Sequence, residues 1–142
     1  PAMIRAADVL LEFPMVDQDP LPWWTQGRVT LLGDAAHPMV PRGSNGAGQA
    51  ILDARALAAA LEAEPDVPAA LGRYESQRRP ATTDIVLTNR KTPPDAILKE
   101  VYERTGDRPF RHIGDVISQE ELAAISNGYK RVAGYDLASL SR

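Results

Sequence analysis

A short apolar run, RVTLL at Arg28–Leu32, is joined to a helical pattern by the stretch GDAAHPMVPRGSNG, so one candidate strand meets one helix through a junction crowded with loop-forming residues. The length of the run and the glycines on either side, Gly27 and Gly33, suit a buried strand better than a helix. From about Gly46 the period changes. Ala50, Ile51, Ala54, Leu57, Ala58 and Leu61 recur at helical spacing, and the alanine-rich composition favours a helix that can approach a neighbour closely. Within the junction, Gly43, Gly46 and Gly48 let the backbone adopt a positive φ or come close to a ligand. The helix start offers unpaired N–H groups and a positive dipole end, which favour an oxyanion or an electron-rich carbonyl. Asp34, at the end of the strand, is placed to accept hydrogen bonds from hydroxyls. A ligand with both hydroxyls and an electron-rich conjugated ring would use all of these groups.

Little else in the chain can build a sheet. DVLLEFPMV (Asp8–Val16) has strand composition, but Pro14 confines it to an edge or ends it early. DQDPLPWWTQG reads as a loop, with Trp23 and Trp24 covering a core edge. Pro65 stops the first helix, and Asp66 caps a second with Val67, Ala70, Leu71 and Tyr74 on one side. Pro80 is expected to kink or interrupt it, with helix resuming over Asp84–Leu87 until Pro93 and Pro94. Ile97, Leu98, Val101 and Tyr102 suggest a third short helix closed by the TGDRP turn. Ser118 and Glu121 match a capping box, followed by an apolar stripe of Leu122, Ile125, Tyr129 and Val132. That stripe is read as core, the rival being a contact with a subunit or a missing domain. The expected class is α+β, mostly helical, with one or two short strands, a strand–loop–helix motif and a helical C-terminal tail. Two strands alone are marginal, and the chain opens on Pro1, so it reads as a piece of something longer.

Composition narrows the function. The net charge of -3 argues against a nucleic-acid partner, and the absence of cysteine excludes thiolate metal sites, disulfides and cysteine nucleophiles. No apolar run is long enough for a membrane span, and Asp8 and Glu12 break the apolar start that a signal peptide would need. A cytoplasmic location is expected. A P-loop is excluded because Gln49 and Ala50 stand where Lys and Ser/Thr are required. The G-x-G-x-x-G fingerprint is excluded because the glycine spacing is reversed and far from the strand. A Ser44/His37/Asp34 triad lacks the nucleophile-elbow context. His37 is read as a structural hydrogen-bonder, His112 as isolated, Asp53 as a salt-bridge or packing partner, and Arg78 and Arg79 as helix-surface pairing residues. Arg42 is a candidate neighbour of a bound ligand. No catalytic residue and no metal site is assigned.

GDAAHPMVPRGSNGAGQAILDA resembles the second flavin-contact motif of the single-component FAD-dependent aromatic hydroxylases, the family with the p-hydroxybenzoate hydroxylase fold. MVDQDPLPWWTQGRVTLLGDAAHPM and YESQRRPA are similar to the same family, and IVLTNRKTPP with VISQEELAAISNGY resembles its phenazine- and salicylate-hydroxylase-like branch. The resemblance implies that Asp34 bonds the ribityl chain of FAD and that Pro41 lies beside the isoalloxazine ring and the substrate. It also implies that backbone at Gly46, Ala47 and Gly48 approaches flavin N1 and O2, with Gly43 in the same loop. Many members carry Asn where this chain has Gly48, so only the backbone contact carries over there. The family's N-terminal dinucleotide fingerprint, the motif associated with NAD(P)H and most of the substrate sheet are not in these residues. The chain therefore resembles the C-terminal part of a larger FAD-binding α/β fold. Residues 1–27 would end a substrate-domain strand, 28–64 would contact FAD, and 65–142 would form a helical region. The intact enzyme would use FAD, NADH or NADPH, and O2 to hydroxylate an aromatic small molecule, with the missing N-terminal FAD-binding region as partner and the isolated chain inactive and prone to self-association. The alternative is a stand-alone helical interaction module without flavin chemistry; a G-x-G-x-x-G unit upstream would separate the two.

Overall fold

The computed structural model describes residues 2–41, 43, 45–93 and 95–134, so Arg42, Ser44 and Pro94 lie outside the described residues. A single helical turn, α1 (Ala2–Arg5), precedes a long irregular stretch. Two strands of two residues each, β1 (Thr25–Gln26) and β2 (Val29–Thr30), pair antiparallel with Thr25 opposite Thr30. Gly27 turns the chain between them at a φ of +59°, and the two threonine hydroxyls meet at 2.9 Å. The run Arg28–Leu32 is thus one arm of a minimal hairpin rather than a full strand. Asp8–Val16 forms no strand at all, and Val9, Leu10, Leu11, Phe13, Met15 and Val16 are exposed. A strand needs a partner for its N–H and C=O groups, and no described segment pairs with this one.

The helices follow the local signals. α2 (Asn45–Ala63) is succeeded by α3 (Val67–Lys91), whose first turn is capped by the Asp66 carboxylate accepting from the Ala69 N–H at 3.0 Å. Pro80 does not interrupt α3. The proline removes one N–H and leaves the Ser76 carbonyl without its helical donor, but both residues are exposed, so water can serve that carbonyl. Burial of Tyr74 before the proline and of Thr82, Ile85, Val86 and Asn89 after it holds both halves in one helix. α4 (Ala96–Thr105) ends at Gly106 in the left-handed region, and α5 (Gln119–Ala133) starts with the complete capping box. There the Glu121 N–H donates to Ser118 Oγ at 3.1 Å and the Ser118 N–H donates to Glu121 Oε2 at 2.9 Å. Arg104 of α4 also grips Glu121 at 2.8 Å.

The core lies between the hairpin, α2 and α3. Trp24, Ala36, Ala60, Ala70 and Tyr74 are buried together, with Leu21, Leu31, Ala56 and Leu57 packed against them. Trp24 is 2% exposed and tilts against Tyr74, whereas its neighbour Trp23 is 56% exposed. In α2 the inward face is not the most apolar one. Ile51, Ala54, Ala58 and Leu61 face out, while Asn45, Gln49 and Asp53 are buried.

Candidate cofactor-contact site

The candidate site is assembled where the hairpin hands the chain to α2. Gly33 opens a 3-10 turn (Gly33–Ala35), and its carbonyl accepts from the N–H groups of Ala36 and His37, each at 2.9 Å. Only glycine suits this position. Its φ is +61°, and a Cβ built there would lie 3.2 Å from the Ala50 Cβ of α2. The Gly33 N–H donates to Asp53 Oδ2 at 3.1 Å, tying the turn to the helix.

Asp53 is the hub of that attachment. It is fully buried and also accepts from His37 Nε2 at 2.5 Å and from Arg78 Nε at 2.7 Å. Burial pushes its carboxyl up, but the hydrogen bonds from His37 and Arg78 outweigh it and hold the group below the ordinary carboxylate value. Arg78 therefore corrects the expectation of a surface residue. Its side chain is 13% exposed, and its long stem carries the guanidinium inward, where Nη2 also donates to Gln49 Oε1 at 2.6 Å. Arg79 does pair within its own helix, with Glu75 at 3.1 Å, although the pair is half-buried rather than on the surface. Trp24 covers the His37 ring at 5.5 Å, and the Tyr74 hydroxyl donates to the Leu31 carbonyl at 3.1 Å. Burial, then the nearby Asp53 charge, raises the Tyr74 ionisation.

On this base sit the residues singled out from the sequence. Asp34 is exposed and stands over the first turn of α2: a Cβ added to Gly46 would meet Asp34 Oδ1 at 3.6 Å and Met39 Cγ at 3.9 Å. Gly46 and Gly48 are helical and half-buried, and Ala47 is exposed. Pro41 and Gly43 are exposed in the intervening loop, and Gly43 takes a left-handed φ of +76°. The first turn of a helix leaves its N–H groups without intrahelical partners, so acceptor oxygens of Asp34 and donors of α2 lie side by side on an open face. The His37 imidazole is committed to Asp53 and buried, away from the exposed Asp34, which leaves no His37–Asp34 pair for a triad. His112 is exposed, and no group of His, Asp and Glu among the described residues could hold a metal ion.

Sequence reasoning missed the polar lining behind this face. Asn45, Gln49 and Asp53 are spaced by four along α2 and are all buried. Asn45 Nδ2 donates to the Tyr129 hydroxyl of α5, which in turn donates to Asn89 Oδ1 of α3 at 2.6 Å. Gln49 Nε2 donates to the Ala133 carbonyl at 3.1 Å. The signal was present as a period-four row of polar residues inside an alanine-rich helix.

Residues 16–89 match a protein-family model described as an FAD binding domain. A phenazine 1,6-dicarboxylic acid hydroxylase from Lysobacter antibioticus is 46% identical over 132 residues, which cover 93% of this chain and 30% of that protein. An aurachin C monooxygenase/isomerase from Stigmatella aurantiaca is 49% identical over 70 residues, 49% of this chain and 18% of that protein. A 3-hydroxybenzoate 6-hydroxylase from Aquipseudomonas alcaligenes is 53% identical over 64 residues, 45% of this chain and 16% of that protein. The chain thus spans less than a third of the length of these relatives. Among the described residues, no helix is long and apolar enough to cross a membrane.

Proposed function

From the premise that this chain belongs to the family of FAD-dependent aromatic hydroxylases, we propose that it supplies the flavin-contacting C-terminal part of a monooxygenase. The intact enzyme uses NADH or NADPH and O2 to hydroxylate an aromatic small molecule in the cytoplasm. The match over 93% of this chain to a phenazine 1,6-dicarboxylic acid hydroxylase makes a phenazine-type ring the first substrate class to test. In this reading residues 1–27 end a substrate-side element, 28–64 contact the cofactor, and 65–142 brace it.

The observation that carries the proposal is the bare face at Gly46, where Asp34 Oδ1 lies 3.6 Å from the position a Cβ would take. An exposed carboxylate beside a side-chain-free helix start fits the ribityl hydroxyls and the electron-rich pyrimidine edge of FAD. Bound there, FAD supplies the electron transfer and oxygen chemistry. The chain's own residues bind and orient. Asp34 accepts from ribityl hydroxyls, and the backbone N–H groups of Gly46, Ala47 and Gly48 donate to the ring edge. The dipole of α2 favours the negative charge that reduction adds there. Gly43 allows the loop to turn, and Pro41 flanks the ring without offering a competing donor. Asp53, by holding the Gly33 N–H, keeps Asp34 at its station. None of these residues transfers a proton or attacks substrate, so their role is cofactor placement.

A titration of the intact protein with FAD, followed by flavin fluorescence, tests this. A hydrogen bond to a charged group contributes about 1.5–3 kcal/mol, so Asp34→Ala should raise the Kd roughly ten- to a hundredfold. Unchanged affinity in that variant would refute the assignment.

A further inference from the structure

We propose that Tyr129 of α5 is a positioning residue for the cofactor-facing start of α2, acting through Asn45. This rests on the flavin reading above and adds to it a brace drawn from outside residues 16–89, the segment that matches the family model. Asn45 is the first residue of α2 and is 1% exposed, whereas the adjacent Gly46, Ala47 and Gly48 are half-buried or exposed. One turn of helix therefore has an anchored side and an open side, and the anchor is a single amide.

That amide is held across 84 residues of sequence. The Tyr129 hydroxyl receives the Asn45 Nδ2–H and gives its own proton to Asn89 Oδ1, so one oxygen links α2, α3 and α5. A second rung lies one turn further on both helices, Gln49 Nε2 to the Ala133 carbonyl at 3.1 Å. Two rungs in the same order fix the height of α2 along α5 as well as its distance. The remaining amide atoms of the first rung, Asn45 Oδ1 and Asn89 Nδ2, are buried without partners. Both amides thus depend on the phenol oxygen for their side-chain hydrogen bonds. Removing that oxygen strands two buried amides at once. The first turn of α2 is then free to shift, and its N–H groups lose their aim at a ligand beside Asp34.

The test compares Tyr129→Phe with Ser118→Ala in the intact protein. The second variant weakens α5 at its cap without touching the rung. Thermal unfolding without cofactor, FAD affinity by fluorescence and the visible absorption spectrum of the bound flavin are measured for both. Tyr129→Phe should raise the FAD Kd about tenfold, the scale of one lost hydrogen bond with its stranded partners, and should move the flavin absorption band. Ser118→Ala should lower the unfolding temperature while leaving the Kd within about twofold and the band in place. A Tyr129→Phe protein with wild-type affinity and spectrum would overturn the positioning role alone. So would two variants whose affinities fall in step with their unfolding temperatures. A wild-type protein that binds no FAD would instead overturn the flavin reading, and this inference with it.

Discussion

Asp53→Asn probes the attachment of the candidate site to the fold. The native carboxylate is fully buried and accepts from the Gly33 N–H, His37 and Arg78. Asparagine keeps the shape but only one acceptor oxygen; its NH2 must face one of the three donors. The Arg78 guanidinium also loses its buried counter-charge. Breaking a buried ion pair from one side costs about 3–5 kcal/mol, and stranding one buried donor about 1–3 kcal/mol. Part of the first figure is relieved because Arg78 can swing toward solvent, so the expected loss is about 3 kcal/mol. With a urea m-value of about 1.5 kcal/mol/M, the unfolding midpoint falls by roughly 2 M. The pH dependence gives a second check. Because the folded carboxyl lies below its ordinary value of 3.8, its ionised form stabilises the fold fully above that pH. The contribution is lost as pH falls through the folded value. The gap between wild type and Asp53→Asn should therefore narrow in acid below 3.8. Equilibrium unfolding by circular dichroism at several pH values measures both. A loss under about 1 kcal/mol at neutral pH, well below the range for a broken buried pair, would refute the argument that this cluster is a dominant internal tie.

Further expectations concern separate parts of the molecule. Gly33→Ala combines a φ of +61° with a Cβ at 3.2 Å from Ala50, and should cost about 1–3 kcal/mol in thermal unfolding; a neutral substitution would mean the turn can re-form. Glu121, held by Arg104 and by the Ser118 backbone and side chain, has its carboxyl lowered from 4.5 to about 2. Its support of α5 should be complete above 4.5 and fade as pH falls toward about 2. Glu121→Gln should remove that acid leg from a helicity titration, and an unchanged profile would count against the capping role. The exposed apolar stretch containing Leu10, Leu11 and Phe13 should drive concentration-dependent association of this 142-residue polypeptide in sedimentation velocity. Replacing Leu11 and Phe13 by Ser should reduce it, and a purely monomeric parent would contradict the expectation.

What could be read from the sequence was what is decided locally. The starts of α3 and α5 are written in Asp66 and in Ser118 with Glu121, because a cap is satisfied within three residues of itself. The strand expected over Asp8–Val16 failed for the opposite reason: pairing requires a partner elsewhere, and composition cannot supply one. The interruption expected at Pro80 did not occur, because the local cost of a missing N–H was outweighed by burial on either side, from Tyr74 to Asn89. At the site, the glycine-rich loop, Asp34 and the period-four row Asn45, Gln49, Asp53 stand in the chain to be read, but the partners that hold that row do not. Arg78 reaches Asp53 across 25 residues and Tyr129 reaches Asn45 across 84, and neither spacing leaves a mark on local periodicity.

The rotational setting of α2 has a consequence of its own. On hydrophobicity alone the helix would roll Ile51 and Leu61 toward the core, yet Ile51 is 71% exposed and the row Asn45, Gln49, Asp53 lies inside. The inner row works like the teeth of a key. Each tooth meets a fixed complement, so rolling or sliding the helix by even one residue would mismatch all of them together. A greasy face would tolerate such slips because one aliphatic contact substitutes for another. By committing its polar residues to the interior, α2 gives up that tolerance and keeps one angular position. The orientation of its first turn is thereby set by the whole buried row, from Asn45 in that turn to Asp53 beyond it.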